Sequence, residues 1–391
     1  MPAIDTYNFS GKKAIIRVDF NVPLNDQFEI TDDTRIVAAL PTIKKVLADG
    51  GAVILMSHLG RPKGEVQDKF SLKHVVAHLS SKLGIDVKMA PDCVGAEVKA
   101  MADELKMGEV MLLENLRFHN EETKGDEGFS KQLAELADVY VNDAFGTAHR
   151  AHASTTIIAK FFEEKMAGYL LDKEIKFLGE TVSNPVKPFV AIVGGAKVSG
   201  KLEVLKSLLE KVDTILIGGG MAYTFLKAQG HAIGGSLVEE DLIDTAKQIL
   251  SDAKAKGVNF MLPVDNLAAD KFADDADIQV VGVEIPEGRM ALDVGPKTVE
   301  AYAAEIAKAK TVVWNGPMGC FEMSNFSKGT FGVCEAVAAS DCISIIGGGD
   351  SVSAVNKSGL AAKMSHISTG GGASLEYLEG KVLPGVQAVT E

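Results

Sequence analysis

Lys197 and Lys201 stand four residues apart in the stretch Val193–Leu205, VGGAKVSGKLEVL, with Gly194, Gly195 and Gly200 around them. Two ammonium groups beside glycine-freed backbone amides could hold a chain of phosphates. Gly195, Gly200 and Lys201 match the G-x-x-x-x-G-K spacing of a P-loop, but Leu202 stands where a Ser or Thr hydroxyl would hold magnesium. The stretch is therefore a P-loop without its metal ligand, a different anion cradle, or a pair of solvated surface lysines.

Three Gly-Gly-Gly runs lie at residues 218–220, 347–349 and 370–372, all in the second half of the chain. Each follows an apolar run and precedes a helical pattern: TILIGGGMAYTFL, SIIGGGDSVSAV and HISTGGGASLEYL. Glycine lets a backbone turn tightly and approach a phosphate closely, and a helix start offers free N–H groups. The bland alternative is glycines that serve tight turns only. Asp350, just after the second run, is either a carboxylate complementing the helix dipole or a magnesium ligand on a nucleotide. Neither GGGMAY nor GGGDSV fits the dinucleotide fingerprint G-x-G-x-x-G, which argues against a dehydrogenase.

The first half carries a different chemistry. Five of the six arginines (Arg17, Arg35, Arg61, Arg117, Arg150) and six of the eight histidines fall within the first 152 residues. Asp19 and Asn21 close one apolar run, His58 and Arg61 a second, Arg117 a third, and Arg150 ends DAFGTAHR. Guanidinium forks at successive strand ends suit a small, highly charged anion. His58, His149 and His152 lack a neighbouring carboxylate or thiol and make no zinc set. A polyphosphate on one half and a small anion on the other fit phosphoryl transfer between two half-sites. A pure binding module would not need both faces.

These residues need elements to hold them. KAIIRVDF, GAVILMSHLG, EVMLLENLRF and VYVNDAF read as strands of the first half, with helices between them; Ser71 is the expected N-cap of SLKHVVAHLSSKLG, and Pro41 an expected kink in TRIVAALPTIKKVLADG. PFVAIVGG, TILIGGG, NFMLPVD, TVVWNGP, CISIIGGG and SHISTGGG read as strands of the second half. Alternating strands and helices predict an α/β fold with parallel sheets, whose ligands gather beyond the carboxyl ends of the strands. A chain of 391 residues predicts two domains. AGYLLDKEIKFLGET, about 167–181, reads as the helix linking them, and KVLPGVQAVTE as a tail returning to the first. A helix starting near Ser199 would turn both lysines toward one ligand.

A net charge of −13 argues against nucleic acid or an acidic membrane surface as partner. No apolar run is long enough to span a membrane, the N-terminus has no apolar signal core, and four scattered cysteines predict free thiols in a reducing, cytoplasmic setting.

RVDFNVP, DDTRI, SHLGRP, LLENLRF, DAFGTAHRAHAS, AIVGGAKVSGK, WNGPMGCFE, GGGDS and STGGGASLEYLEGKVLPG, in that order, resemble phosphoglycerate kinase over nearly the whole chain. The resemblance implies two Rossmann-like domains joined by a helical hinge: residues 1–170 with the tail 377–391 for phosphoglycerate, and 171–376 for nucleotide. It implies the glycolytic reaction of 1,3-bisphosphoglycerate and ADP giving 3-phosphoglycerate and ATP, with Mg2+, in a monomeric cytoplasmic enzyme. By motif, Asp19, Asn21, Arg35, His58, Leu59, Gly60, Arg61, Arg117 and Arg150 would bind the glycerate. Lys197, Lys201, Gly219, Asn315, Glu322, Gly348, Gly349, Asp350 and Ser351 would bind the nucleotide, with Asp350 also holding the metal. Arg35, Lys197 and the helix-start amides after Gly349 and Gly372 would surround the migrating phosphoryl once the domains close. Ser351 and Gly200 depart from the family, where many members have Thr, and Asp or Thr. In this reading Leu202 faces the core, because the metal ligand comes from Asp350.

Overall fold

The computed structural model describes residues 3–391. Its chain divides into two compact units, residues 1–175 with 382–391, and residues 176–381.

In the first unit six strands form one parallel sheet. They are β1 (Lys13–Arg17), β2 (Ala52–Met56), β3 (Val87–Met89), β4 (Val110–Leu112), β5 (Val139–Asn142) and β6 (Lys165–Ala167), in the order β3-β4-β2-β1-β5-β6. β2, β4 and β5 are buried along their whole length and read as apolar runs, broken only by Asn142 at the end of β5, as strands covered by helices on both faces do. Ile16, Val18, Ile36, Ile43, Leu55, Val75 and Val141 belong to the core that seals one face. Arg17, the last residue of β1, pairs with Met56 on one side and Asn142 on the other. The Thr34–Ala48 helix runs through Pro41 without a break. Ser71 sits one residue ahead of the N-cap of the Lys73–Leu83 helix. Its hydroxyl accepts from the Lys73 amide at 3.2 Å and donates to Glu114, whose other carboxyl oxygen takes the Leu72 amide at 2.8 Å.

In the second unit a parallel sheet runs β15-β14-β13-β7-β8-β9, built from β7 (Phe189–Val193), β8 (Thr214–Ile217), β9 (Asn259–Met261), β13 (Thr311–Asn315), β14 (Ile343–Gly347) and β15 (His366–Ile367). The chain steps outward from β7 in one direction, then returns to β13 and steps out in the other. Its crevice for ligands therefore opens beyond the carboxyl ends of β7 and β13. There Gly194 and Gly316 press together: a Cβ on either would lie 2.1 Å from a carbonyl oxygen of Pro317 or Gly194. A second, antiparallel sheet that the sequence pattern did not predict joins β10 (Asn266–Ala269), β11 (Ile278–Val281) and β12 (Met290–Val294) in the order β11-β10-β12.

The expected single helix over 167–181 is resolved into three pieces. β6 ends at Ala167, an α-helix covers Tyr169–Glu174, and a π-helix covers Ile175–Thr181, at the passage from one unit to the next. Asp143 anchors the α-helical piece. Its Oδ1 accepts from the Leu170 and Leu171 amides, and Gly168 approaches it so closely that a Cβ would lie 2.2 Å from that oxygen. The Pro384–Thr390 helix packs on the first unit, where Asn142 Nδ2 donates to the Gly385 carbonyl at 3.0 Å. Among the described residues no helix is long and apolar enough to cross a membrane, and all four cysteines are free thiols.

Candidate active site

In the first unit the loops after β1 and β2 are stitched by polar side chains. Asp19 Oδ2 accepts from Arg35 Nη1 at 3.0 Å, and the same nitrogen donates to the Asn21 carbonyl at 3.1 Å. Asn21 Oδ1 accepts from the Gly60 amide at 2.8 Å, and Arg117 Nη1 donates to the Gly60 carbonyl at 3.1 Å. Gly60 is held at a φ of +62°, with Phe70 against it, so a side chain there would be both strained and crowded. Leu59 is buried, and Arg61 is exposed beyond the loop.

Arg61, Arg117, Arg150 and His152 line a cleft of about 470 Å³ together with Lys63, His119, Asn120 and Thr123, which the sequence did not mark. Cations crowd this region, with Glu122 and Asp19 as the carboxylates that oppose them at Arg117. Burial, then Arg17 and Arg150, push the Arg117 guanidinium down to about 10, still a cation at neutral pH. Arg117 Nε has no hydrogen-bond partner. Burial followed by Arg117, Arg17 and Arg150 takes His152 down to about 4. Burial, Arg17, Arg117 and Arg35 hold His58 well below the ordinary histidine range. Three arginines that repel one another, and two histidines that cannot share the charge, leave an electrostatic hole for an anion.

In the second unit the Val193–Leu205 stretch is a loop leading to a helix that starts at Leu202, not near Ser199, with Lys201 as its N-cap. Leu202 is half-buried rather than a core residue; Val204 and Leu205 take the core positions. Lys197 is exposed. The loop is pinned by a residue that the sequence reading missed. Glu239 accepts from the Ser199 amide at 3.0 Å and the Ser199 hydroxyl at 2.5 Å. Burial opposes its ionisation, but those bonds and nearby Lys197 outweigh burial and hold the Glu239 carboxyl below the usual range. Lys201 Nζ donates to Asn315 Oδ1, and burial pushes its ammonium down to about 8 against the pull of Asp350 and Glu379. Asn315 Nδ2 is buried and unpartnered. Ser351 is fully buried, its hydroxyl accepting from the Gly316 amide at 2.5 Å.

The glycines divide into two sets. Gly194, Gly218, Gly219 and Gly316 are demanded by packing: a Cβ on any of them would lie 2.1–2.5 Å from a neighbouring atom. Gly349, Gly371 and Gly200 have no atom within 4 Å of where a Cβ would stand. Gly348 precedes the Gly349–Ser358 helix as its N-cap at φ +87°, and Gly372 opens the Gly372–Leu378 helix. Beside the first of these helix starts, at Asp350, lies a cleft of about 520 Å³, of the size a nucleoside needs. Gly195, Gly219, Asp350 and Glu322 line it, as do Leu237, Tyr223, Phe272, Met290 and Leu292, which no sequence motif announced. Burial, then Glu322 and Asp293, raise the Cys320 thiol on its wall to about 11. The arrangement can hold an apolar ring system with a carboxylate at one end and a phosphate chain running over the glycine turns.

A phosphoglycerate kinase family model matches residues 4–381. The phosphoglycerate kinase of Chloroherpeton thalassium is 55% identical over 391 residues, covering 99% of this chain and 98% of that protein. That of Moorella thermoacetica is 59% identical over 383 residues, covering 98% and 97%. The solved structure of phosphoglycerate kinase from Coxiella burnetii matches with a TM-score of 0.92 at 43% identity, covering 100% of this chain and 98% of that one.

Proposed function

Because the chain belongs to the phosphoglycerate kinase family, we propose that its first unit seats the glycerate substrate and its second the nucleotide. It is an enzyme of glycolysis that converts 1,3-bisphosphoglycerate and ADP to 3-phosphoglycerate and ATP, reversibly. The observation that carries the assignment of the half-sites is that each unit has its own anion cradle beyond the ends of its sheet. One is built from guanidinium groups, the other from glycine turns and a half-buried lysine.

In the first cradle Arg61, Arg117 and Arg150 take the 3-phosphate and carboxyl end, while Asp19 and Asn21 order the loop and meet the glycerate hydroxyl. His58 joins them as a neutral donor. In the second, Lys201 and Asn315 hold the nucleotide phosphates, Glu322 the ribose, and the apolar wall the base. Asp350 is an exposed carboxylate at a helix start in this cleft. It is an oxygen ligand of the kind magnesium takes beside phosphates and water, so it would hold the ion. The ion supplies neutralising charge to the phosphate chain.

The donor is an acyl phosphate, so the leaving group is a carboxylate and needs no acid; the ADP oxygen is already anionic and needs no base. What remains is positioning and stabilisation of charge spreading over the migrating group. We assign that to Arg35, to Lys197, and to the helix-start amides after Gly349 and Gly372. In-line transfer requires the two bound ligands to meet with water excluded, since water would hydrolyse the acyl phosphate. Small-angle scattering with both ligands, against either alone, tests that step, and an unchanged profile would count against it. A monomer acting in the cytoplasm completes the reading, and sedimentation velocity tests the first part. The half-site assignment is tested by calorimetry on wild type and on a charge-removing variant of each cradle. An Arg117 variant should lose 3-phosphoglycerate and keep ADP, and a Lys201 variant the reverse. The opposite pattern would reject the assignment.

A further inference from the structure

Arg17, the first residue of RVDFNVP, is fully buried at the end of β1 and was given no role among the site residues above. A buried cation is costly unless its hydrogen bonds are made and its charge is answered. Arg17 Nη1 donates to the Val18 carbonyl, and Nε donates to the Ser154 hydroxyl at 2.8 Å. That hydroxyl in turn donates to Glu122 Oε1 at 2.6 Å, and the Ser154 amide donates to Glu122 Oε2 at 3.0 Å. The guanidinium is thus locked in orientation, with a buried carboxyl group at the far end of the relay. Its remaining arm, Nη2, lies 3.2 Å from His58 Nδ1.

A guanidinium has donors and no acceptor, so in this contact His58 Nδ1 must be the acceptor. The one competing group is Asp19 Oδ1, 3.9 Å from the same nitrogen, too far for a hydrogen bond. Asp19 already takes the Arg35 guanidinium and the Asn21 amide. Among the described residues no protein group takes His58 Nε2, and that nitrogen is not one of the atoms sealed from solvent without a partner.

We propose that Arg17 is a positioning residue: by donating to His58 Nδ1 it fixes the imidazole as the neutral tautomer carrying its proton on Nε2, so that the ring meets an anionic substrate oxygen only as a donor. The inference rests on the reading of His58 as a glycerate contact. Were the proton on Nδ1, the ring would turn a lone pair toward the substrate anion.

The test is the ring nitrogen spectrum of 15N-histidine-labelled enzyme, free and with 3-phosphoglycerate. His58 is expected to show a protonated Nε2 and a bare Nδ1 at neutral pH before any ligand is added. Arg17→Lys should disturb that pattern, raise KM for 3-phosphoglycerate roughly tenfold or more, the scale of one lost charged hydrogen bond, and leave ADP affinity unchanged. A wild-type ring protonated on Nδ1, or on both nitrogens, overturns the proposal. So does an Arg17→Lys enzyme with the same tautomer and the same KM. If that variant does not fold, the wild-type spectrum alone decides. An Nε2–H ring that stays unmoved while 3-phosphoglycerate binds would support Arg17's hold on the tautomer and remove His58 from the substrate site instead.

Discussion

Arg35 and Lys201 show how two cationic side chains do different work by environment. Arg35 is about two-fifths exposed and tied to Asp19 at 3.0 Å. Its Nη1 is held by Asp19 and by the Asn21 carbonyl, which fixes the direction of its remaining donors. Arg35→Ala is expected to lower kcat roughly 10²-fold or more, the scale of removing one transition-state donor. Steady-state kinetics check this, and retained turnover would reject the role. Lys201 instead loses affinity for its proton by burial, down to about 8. A phosphate chain beside it would restore that proton. Nucleotide binding near pH 8 should therefore take up protons and weaken as pH rises further. Calorimetry in buffers of different ionisation enthalpy reads the uptake, and Lys201→Met should abolish it.

At the scale of elements, what the sequence made legible follows physical rules. The five-residue strands β2, β7, β13 and β14, buried but for Ile343, stand out as largely apolar runs that stop at polar or glycine residues, so the sheets could be read and candidate-site residues sought at their ends. β3 and β6 have three residues each, with one or two of them partly exposed, too short for periodicity to register. The small sheet was hidden because β11 shows no buried residue and because acidic loops break the pattern. The pins were hidden for another reason. Ser199–Glu239 and Arg17–Ser154 join residues 40 and 137 positions apart, and only folding makes them neighbours.

Two predictions belong at this scale. Gly200 is neither crowded nor at positive φ, so Gly200→Ala should raise stability by about 0.4–1 kcal/mol by restricting the unfolded chain. Thermal melts check the gain; a loss would mean that the loop needs glycine's freedom. Burial raises Asp143 from 3.8 to about 7 against the Thr42 hydroxyl and the Leu171 and Leu170 amides. The folded state then binds this proton more tightly than the unfolded one, so its contribution to stability falls as pH rises from about 4 to about 7. Asp143→Asn keeps a carbonyl oxygen for the two amides and should flatten that slope, by an amount on the order of a few kcal/mol across the window. Urea melts at pH 4.5 and 7.5 would reveal it, and an unchanged slope would show that another group is responsible.

For the molecule as a whole, the first unit is assembled from both ends of the chain. Leu383, Val386 and Val389 are buried at 1%, 8% and 2% exposure, and each contributes about 1.5–3 kcal/mol if its side chain is fully covered. Removing residues 382–391 should therefore cost the first unit several kcal/mol and its protection by 3-phosphoglycerate, while ADP still protects the second. Limited proteolysis with each ligand tells the two apart. Equal loss in both units would contradict the division at 175 and 382.

That division sets an order of events during synthesis. While the ribosome is still translating, residues 1–175 emerge early and yet lack the Gly385 carbonyl that Asn142 Nδ2 reaches. The second unit is one uninterrupted segment and needs no residue made after 381. A released chain ending at residue 381 would carry every residue of the second unit and a first unit still short of residues 382–391, so the half made first is the last to be completed.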